Sequence, residues 1–196
     1  MDKEDVHKQD DYEQEQMLTL PSGVALSIRG IRPDDASALQ RIHSRCSERT
    51  IYLRFFGSLE ELPDKKPKYF ASTDGVSHFG LVALDPDNKN EIVGVVRFDR
   101  EQDREKAEYA ALAEDRWQNQ GVGTALTRLL IDEARDKGVR FFYALVKGGN
   151  QRMLELLRHL DLPEQEHQDT EPGVKRIEVE LHLGERLSEK RSSKER

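Results

Sequence analysis

Apolar positions along the chain fall into alternating strand-like and helix-like runs. Val24–Ile31 (V-A-L-S-I-R-G-I) alternates well enough for a first strand. Pro33, Asp34 and Asp35 then open a helix through about Ser44, with the proline suited to a first turn and the acids to its positive end. Ala36, Leu39, Ile42 and His43 share one face of it. Arg49–Phe56 reads as a second short helix with apolar Ile51, Leu53, Phe55 and Phe56, and Pro63–Gly75 reads mostly as loop. His78–Leu84 and Ile92–Phe98 are apolar runs joined by D-P-D-N-K-N, the pattern of a β-hairpin. Glu105–Ala113 continues that series, although its alanines are poor strand formers. Val122–Lys137 is the clearest helix. Val122, Ala125, Leu126, Leu129, Leu130 and Ala134 form one stripe, and Gly138 stands where a C-terminal cap belongs. Val139–Val146 predicts a buried strand, Asn150 starts a helix with Met153, Leu154, Leu157 and Leu160 inward, and Lys175–Leu183 alternates as the last strand.

The order β-α-α-β-β-β-α-β-α-β(β) predicts a mixed α/β (α+β) sheet covered by helices. Hairpins supply antiparallel pairs. The strand–helix–strand unit around Val122–Val146 supplies one parallel pair.

Both ends read as tails. Met1–Gln16 carries seven acids and two lysines with almost no apolar residue, so burial cannot offset its ordering entropy. Gly184–Arg196 is charged and polar, either a solvated segment or a partner-binding tail. The expected division is therefore a disordered acidic tail over 1–17, one domain over 18–183 and a charged tail over 184–196.

Charge narrows the function. With 31 Lys+Arg against 38 Asp+Glu, the net charge is −7, which argues against nucleic acid as partner and suits a cationic one such as an amine. A single Cys excludes an intrachain disulfide and a cysteine-based zinc site. No apolar run approaches the ~20 residues needed to span a bilayer, and Met1–Gln16 lacks an apolar signal core. A cytoplasmic protein without membrane contact is the expectation.

Asp115–Thr124 (D-R-W-Q-N-Q-G-V-G-T) carries the chemistry. It lies between the end of a strand and the start of the long helix, and places Gln118, Gly121 and Gly123 there. Glycines at a helix start allow close backbone approach, and the first amides of the helix point outward unpaired. With the helix dipole they form an anion site suited to a pyrophosphate. The competing reading is a tight turn that needs glycine on steric grounds alone. The Rossmann fingerprint fails because Leu126 stands at the third glycine, and the P-loop fails because Thr124 and Ala125 follow Gly123.

Gln118-Asn119-Gln120-Gly121-Val122-Gly123 resembles the Q/R-x-x-G-x-G/A motif of the GNAT superfamily of acyl-CoA N-acyltransferases. The resemblance extends over nearly all of residues 24–183 in element order. Trp117, the A-E-Y-A-A-L run and Tyr52-Leu53-Arg54-Phe55-Phe56 look like the acetyltransferase domain of bacterial protein lysine acetyltransferases. The resemblance implies a mostly antiparallel sheet with a central splayed parallel pair, with acetyl-CoA as co-substrate. It implies that amides of Gln120, Gly121, Val122, Gly123 and Thr124 hold the diphosphate, with Gln118 supporting the loop. Leu112, with Ala110 or Ala113, would face the pantetheine arm in the splay, and Asn150 and Arg152 would line its far side. An amide on that strand would also polarise the thioester carbonyl.

An ammonium has no lone pair, and a lysine amine is mostly protonated at neutral pH, so a base is useful. Glu108 is the candidate: it is the lone charged residue within Ala107–Ala113, and strand alternation sets it on one face with Ala110 and Leu112. Low-dielectric surroundings would raise its pKa. It also matches the glutamate of A-E in the lysine acetyltransferase branch. The alternative is an exposed acid on a half-wet strand. The resemblance departs in two places. Lys147–Leu160 contains no Tyr to protonate the departing thiol, and His159-Leu160-Asp161-Leu162-Pro163 replaces a small, glycine-containing helix end.

Cys46 reads as a packed helix-face residue, and His43, His78, His159, His167 and His182 show no metal-ligand spacing, so no metal is expected. Arg54-Phe55-Phe56 either shapes an acceptor cleft or packs as an ordinary amphipathic helix. The expected activity is transfer of an acetyl group to a primary amine, with a protein lysine as the favoured acceptor. The rivals are a small-molecule amine acetyltransferase and a non-catalytic acyl-CoA-binding regulatory module. Oligomeric state is not legible.

Overall fold

The computed structural model of the chain describes residues 14–57, 63, 65–101, 105–169 and 171–181. Its elements are β1 (Gln16–Thr19), β2 (Ala25–Gly30), α1 (Ala36–Arg45), α2 (Glu48–Phe55), α3 (Lys65–Ala71), β3 (His78–Leu84), β4 (Ile92–Arg100), β5 (Lys106–Ala113), α4 (Val122–Asp136), β6 (Phe141–Lys147), α5 (Gln151–Arg158), β7 (Glu164–Gln168) and β8 (Val174–Glu180). One sheet runs β1-β2-β3-β4-β5-β6-β8-β7. Every neighbouring pair is antiparallel except β5–β6.

Helices cover both faces. Leu126, Leu130 and Ala134 of α4, four residues apart, press onto Phe98, Ala107, Tyr109 and Phe142 on one side. Gly94 lets α4 sit close: a Cβ there would lie 3.0 Å from a Val122 methyl. On the other side Ala38, Leu39 and Ile42 of α1 and Ala71 of α3 pack on Val82, Leu84 and Ile92. Arg29 and Asp35, both buried, join β2 to the 3₁₀ turn before α1 through two hydrogen bonds of 2.7 Å. No helix among the described residues is long and apolar enough to cross a membrane.

Four elements differ from the sequence expectation. The Pro63–Gly75 segment contains α3, with Pro67 in its first turn, where a missing N–H costs nothing. β7 (E-Q-E-H-Q) is an edge strand exposed along its whole length, so no apolar alternation marks it; it is defined by pairing with β8. β1 starts at Gln16, inside the stretch read as tail. Residues 1–13 and 184–196 of the two tails, and His182, lie outside the described residues. β6 was expected to be buried, and only Phe142, Ala144 and Val146 are; its other face opens toward the cleft described next.

Candidate active site

β5 and β6 pair only over Lys106–Phe141, Ala107–Phe142 and Glu108–Tyr143. Beyond Glu108 they part. β5 stays with β4 as far as Gly94–Ala113, while β6 stays with β8 as far as Lys147–Val174. The edge of β5 from Tyr109 to Ala113 therefore has no strand partner on that side. A cleft of about 540 Å³ fills the gap.

Ala110, Leu112 and Ala113 form one wall of this cleft, with Ala144 and Leu145 opposite. Gly121, Val122, Gly123 and Thr124 form its mouth. Asn119 and Gly121 both take positive φ, +60° and +89°, and turn the chain from the loop into α4. Ala125 is the residue whose amide bonds back to Gly121 O, at 2.9 Å. The amides of Val122, Gly123 and Thr124 precede that bond and have no carbonyl four residues back within the helix. The dipole of a fifteen-residue helix adds to them. Gly123 has a packing role too, since a Cβ there would lie 3.0 Å from Leu156 Cδ1 of α5.

Gln118 turns its side chain inward. Its Nε2 donates to Ala113 O (2.8 Å) and to Thr50 Oγ1 (3.2 Å), and Arg152 donates to its Oε1. Thr50 of α2 and Ser47, which caps that helix, donate in turn to Asp115, at 2.9 and 2.8 Å. Burial pushes the Asp115 carboxyl up, but the Ser47 and Thr50 bonds outweigh it and the net shift is downward. The loop is thus tied to β5, α2 and α5. Asn150 and Arg152 lie on the far wall, where Asn150 caps α5 by accepting from the Met153 amide at 3.2 Å. Gln120 lies outside the cleft lining; its side chain donates to Arg116 O at 2.5 Å. Arg128 also lines the cleft, so with Arg54 and Arg152 three guanidinium groups border it in a chain of net charge −7.

Glu108 stands where the strands part, on the same face as Ala110 and Leu112, which pair across β4 with Arg97 and Val95. Its side chain is exposed to the cleft, and the partial loss of solvent there raises its pKa. Asp99 adds to the rise; Arg54, Arg97 and Arg176 oppose it. Arg54 of α2 lines the same cleft. Burial lowers the Arg54 pKa, and the charge of Glu108 works against that. Arg54 therefore faces the cleft and not merely the helix packing.

A sequence model of the acetyltransferase (GNAT) family matches residues 39–161. The chain belongs to this family. As a GNAT protein it is an acyltransferase, and its sheet with one parallel pair is the GNAT fold. It is 28% identical to an acetyltransferase of Pseudomonas aeruginosa over 139 residues, 70% of this chain and 75% of that one. The GNAT domain of Streptomyces lividans PAT is 29% identical, with a TM-score of 0.76, covering 85% of this chain and 96% of that one. A putative acetyltransferase of Salmonella typhimurium, solved with its cofactor acetyl-CoA, is 19% identical with a TM-score of 0.61, over 81% and 95% of the two chains, and shares the fold.

Several residues in or beside the cleft of this GNAT chain escaped the sequence reading. Thr50 and Asp115 are 65 residues apart and meet only through the fold. Arg128 sits one turn after Thr124 on the motif helix, so its i+4 spacing was a usable signal. Cys46 ends α1 instead of lying on its face; burial drives its thiol pKa up to about 12, which makes it a poor nucleophile.

Proposed function

We propose that the chain is an N-acetyltransferase that uses acetyl-CoA and a primary amine, with a lysine side chain of a protein as acceptor. One observation carries this reading. The anion-ready start of α4 and the carboxylate of Glu108 lie on a single cleft that runs along the unpaired edge of β5. Acetyl-CoA supplies an acetyl thioester whose carbonyl carbon accepts the amine. Amides of Gly121, Val122, Gly123 and Thr124 hold the diphosphate, with Arg128 and Arg152 as additional positive charge. Gln118 keeps the loop in place. Asn150 acts through α5, by capping it. The unpartnered edge at Ala110–Ala113 receives the amide-bearing arm and offers an N–H to the carbonyl oxygen as charge grows there.

Glu108 takes the proton from the attacking amine, directly or through water, as the N–C bond forms. Its raised proton affinity suits that task at neutral pH. The C–S bond then breaks, and the thiolate is protonated from solvent, since Lys147–Leu160 supplies no Tyr.

A thiol-release assay with acetyl-CoA across lysine-bearing proteins, polyamines and free amino acids tests this. Turnover should be highest on a protein lysine, and Glu108→Gln should cut kcat by about 10²-fold with little change in coenzyme affinity. Equal turnover on water alone with every acceptor inert would overturn it. So would a Glu108→Gln enzyme with unaltered rate.

A further inference from the structure

One rung of the sheet carries chemistry on five adjacent strands. His78 of β3 pairs with Asp99 of β4, Asp99 with Glu108 of β5, Glu108 with Tyr143 of β6, and Tyr143 with Glu178 of β8. Directly paired residues project to the same face, with Cβ atoms ~5 Å apart. The carboxylate nearest Glu108 in this row is therefore Asp99.

Asp99 is gripped from two sides. Its Oδ1 accepts from His78 Nδ1 at 2.7 Å and from Arg97 at 2.5 Å, and its Oδ2 accepts from Arg97 Nε at 3.1 Å. Arg97 is itself buried under the rings of Tyr69 and Phe70, 5.0 and 5.1 Å from its guanidinium carbon. Its remaining Nη1 is buried and has no hydrogen-bond partner among the described residues. The two other nitrogens of this guanidinium, Nε and Nη2, both donate to Asp99, one to each carboxylate oxygen. A solvated surface pair would not be built this way. His78 closes the other side, with Tyr69 edge-on to its ring at 6.1 Å.

We infer that Asp99, clamped by Arg97 and His78, is a positioning residue for the transfer reaction: it fixes a negative charge beside Glu108 and so sets how readily that carboxylate takes the amine's proton. The inference rests on Glu108 as the base. The charged and titratable groups that face Glu108 among the described residues enter the balance. On β4 these are Asp99 and Arg97; on α2, Arg54; on α3, Tyr69; on β6, Tyr143, whose ring lies 3.6 Å from the Arg176 guanidinium carbon of β8. Arg176 is paired with Glu101 and Lys106 with Glu178, so each of these cations has its own counter-ion, as Asp99 has in Arg97. Asp99 raises the proton affinity of Glu108 and Arg54 lowers it. Removing one or the other must move Glu108 in opposite directions.

That opposition is the test. In the full chain labelled with ¹³C-glutamate, the Glu108 carboxyl is identified by its loss in Glu108→Gln, and its titration is followed by NMR. Asp99→Asn should move the midpoint down, and Arg54→Gln should move it up, each by about half to one pH unit for a charge at this range in a partly wet cleft. Asp99→Glu restores the charge and should return most of the shift, which separates charge from folding. With acetyl-CoA and poly-L-lysine as probe, the acidic limb of kcat/KM should follow the same directions. A midpoint unmoved by Asp99→Asn, or moved the same way by both variants, overturns the inference. If the midpoints move as stated while Glu108→Gln leaves the rate on poly-L-lysine intact, the clamp stands and the base assignment falls.

Discussion

Gly121 is bound by two constraints at once. Its φ is +89°, and a Cβ there would meet Pro21 Cδ at 3.2 Å. An alanine pays the left-handed strain of about 1–2 kcal/mol, and the turn relaxes away from Pro21. Gly121→Ala should therefore lower Tm modestly and weaken coenzyme A binding in calorimetry, because the amides behind it lose their aim. Gly121→Asp should abolish binding, since it adds a carboxylate where the diphosphate belongs, with a Tm close to that of the alanine variant. Equal affinity of both variants and the parent would remove the anion site. At this scale the sequence was informative: Gln118, Gly121 and Gly123 stand at a strand–helix junction, and that junction is what gives the residues their meaning. It was silent on Asp99. Nothing in V-V-R-F-D-R marks Asp99 as a neighbour of Glu108, because the pairing depends on the register of β4 with β5.

Among the elements, α4 was legible because its buried residues recur at helical spacing over four turns. α3 was not, because Pro63 and Pro67 interrupt the pattern over a helix of seven residues. β7 was invisible because none of its five side chains is buried. The splay was not readable from residues: it appears only where β5 and β6 each keep a different partner beyond Glu108. α5 shows how an element can hide a role. Asn150 was expected on the coenzyme's far side, and it caps the helix that forms that wall. Asn150→Ala should cost about 1 kcal/mol, read as a lower Tm. Asn150→Asp keeps the cap, so Tm should hold, while its charge near the mouth should weaken coenzyme A binding. If Asn150→Ala leaves Tm unchanged and Asn150→Asp leaves affinity unchanged, neither the cap nor the wall matters.

Over the whole molecule, the sheet buries one face under α4 and part of the other under α1 and α3, and the open part holds the charged rung. Stability and reactivity therefore compete at Glu108. Its folded-state pKa lies above the ordinary glutamate value of 4.5, first because burial disfavours the charged form. The folded chain then binds a proton there more tightly than the unfolded chain does. Below pH ~4 both forms are protonated and the site is neutral to folding. As pH rises through the folded-state value, the folded chain must carry a charge it holds less well than the unfolded chain, and stability falls. Glutamine is neutral at every pH and removes that penalty. Glu108→Gln should accordingly raise Tm at pH 7.5, and the gain should shrink toward zero as pH falls to about 4. Paired thermal melts of parent and variant across this range provide the measurement. A variant that melts at or below the parent at pH 7.5 would show that attraction to Arg54 outweighs the loss of solvent, and that Glu108 is a structural half of an ion pair.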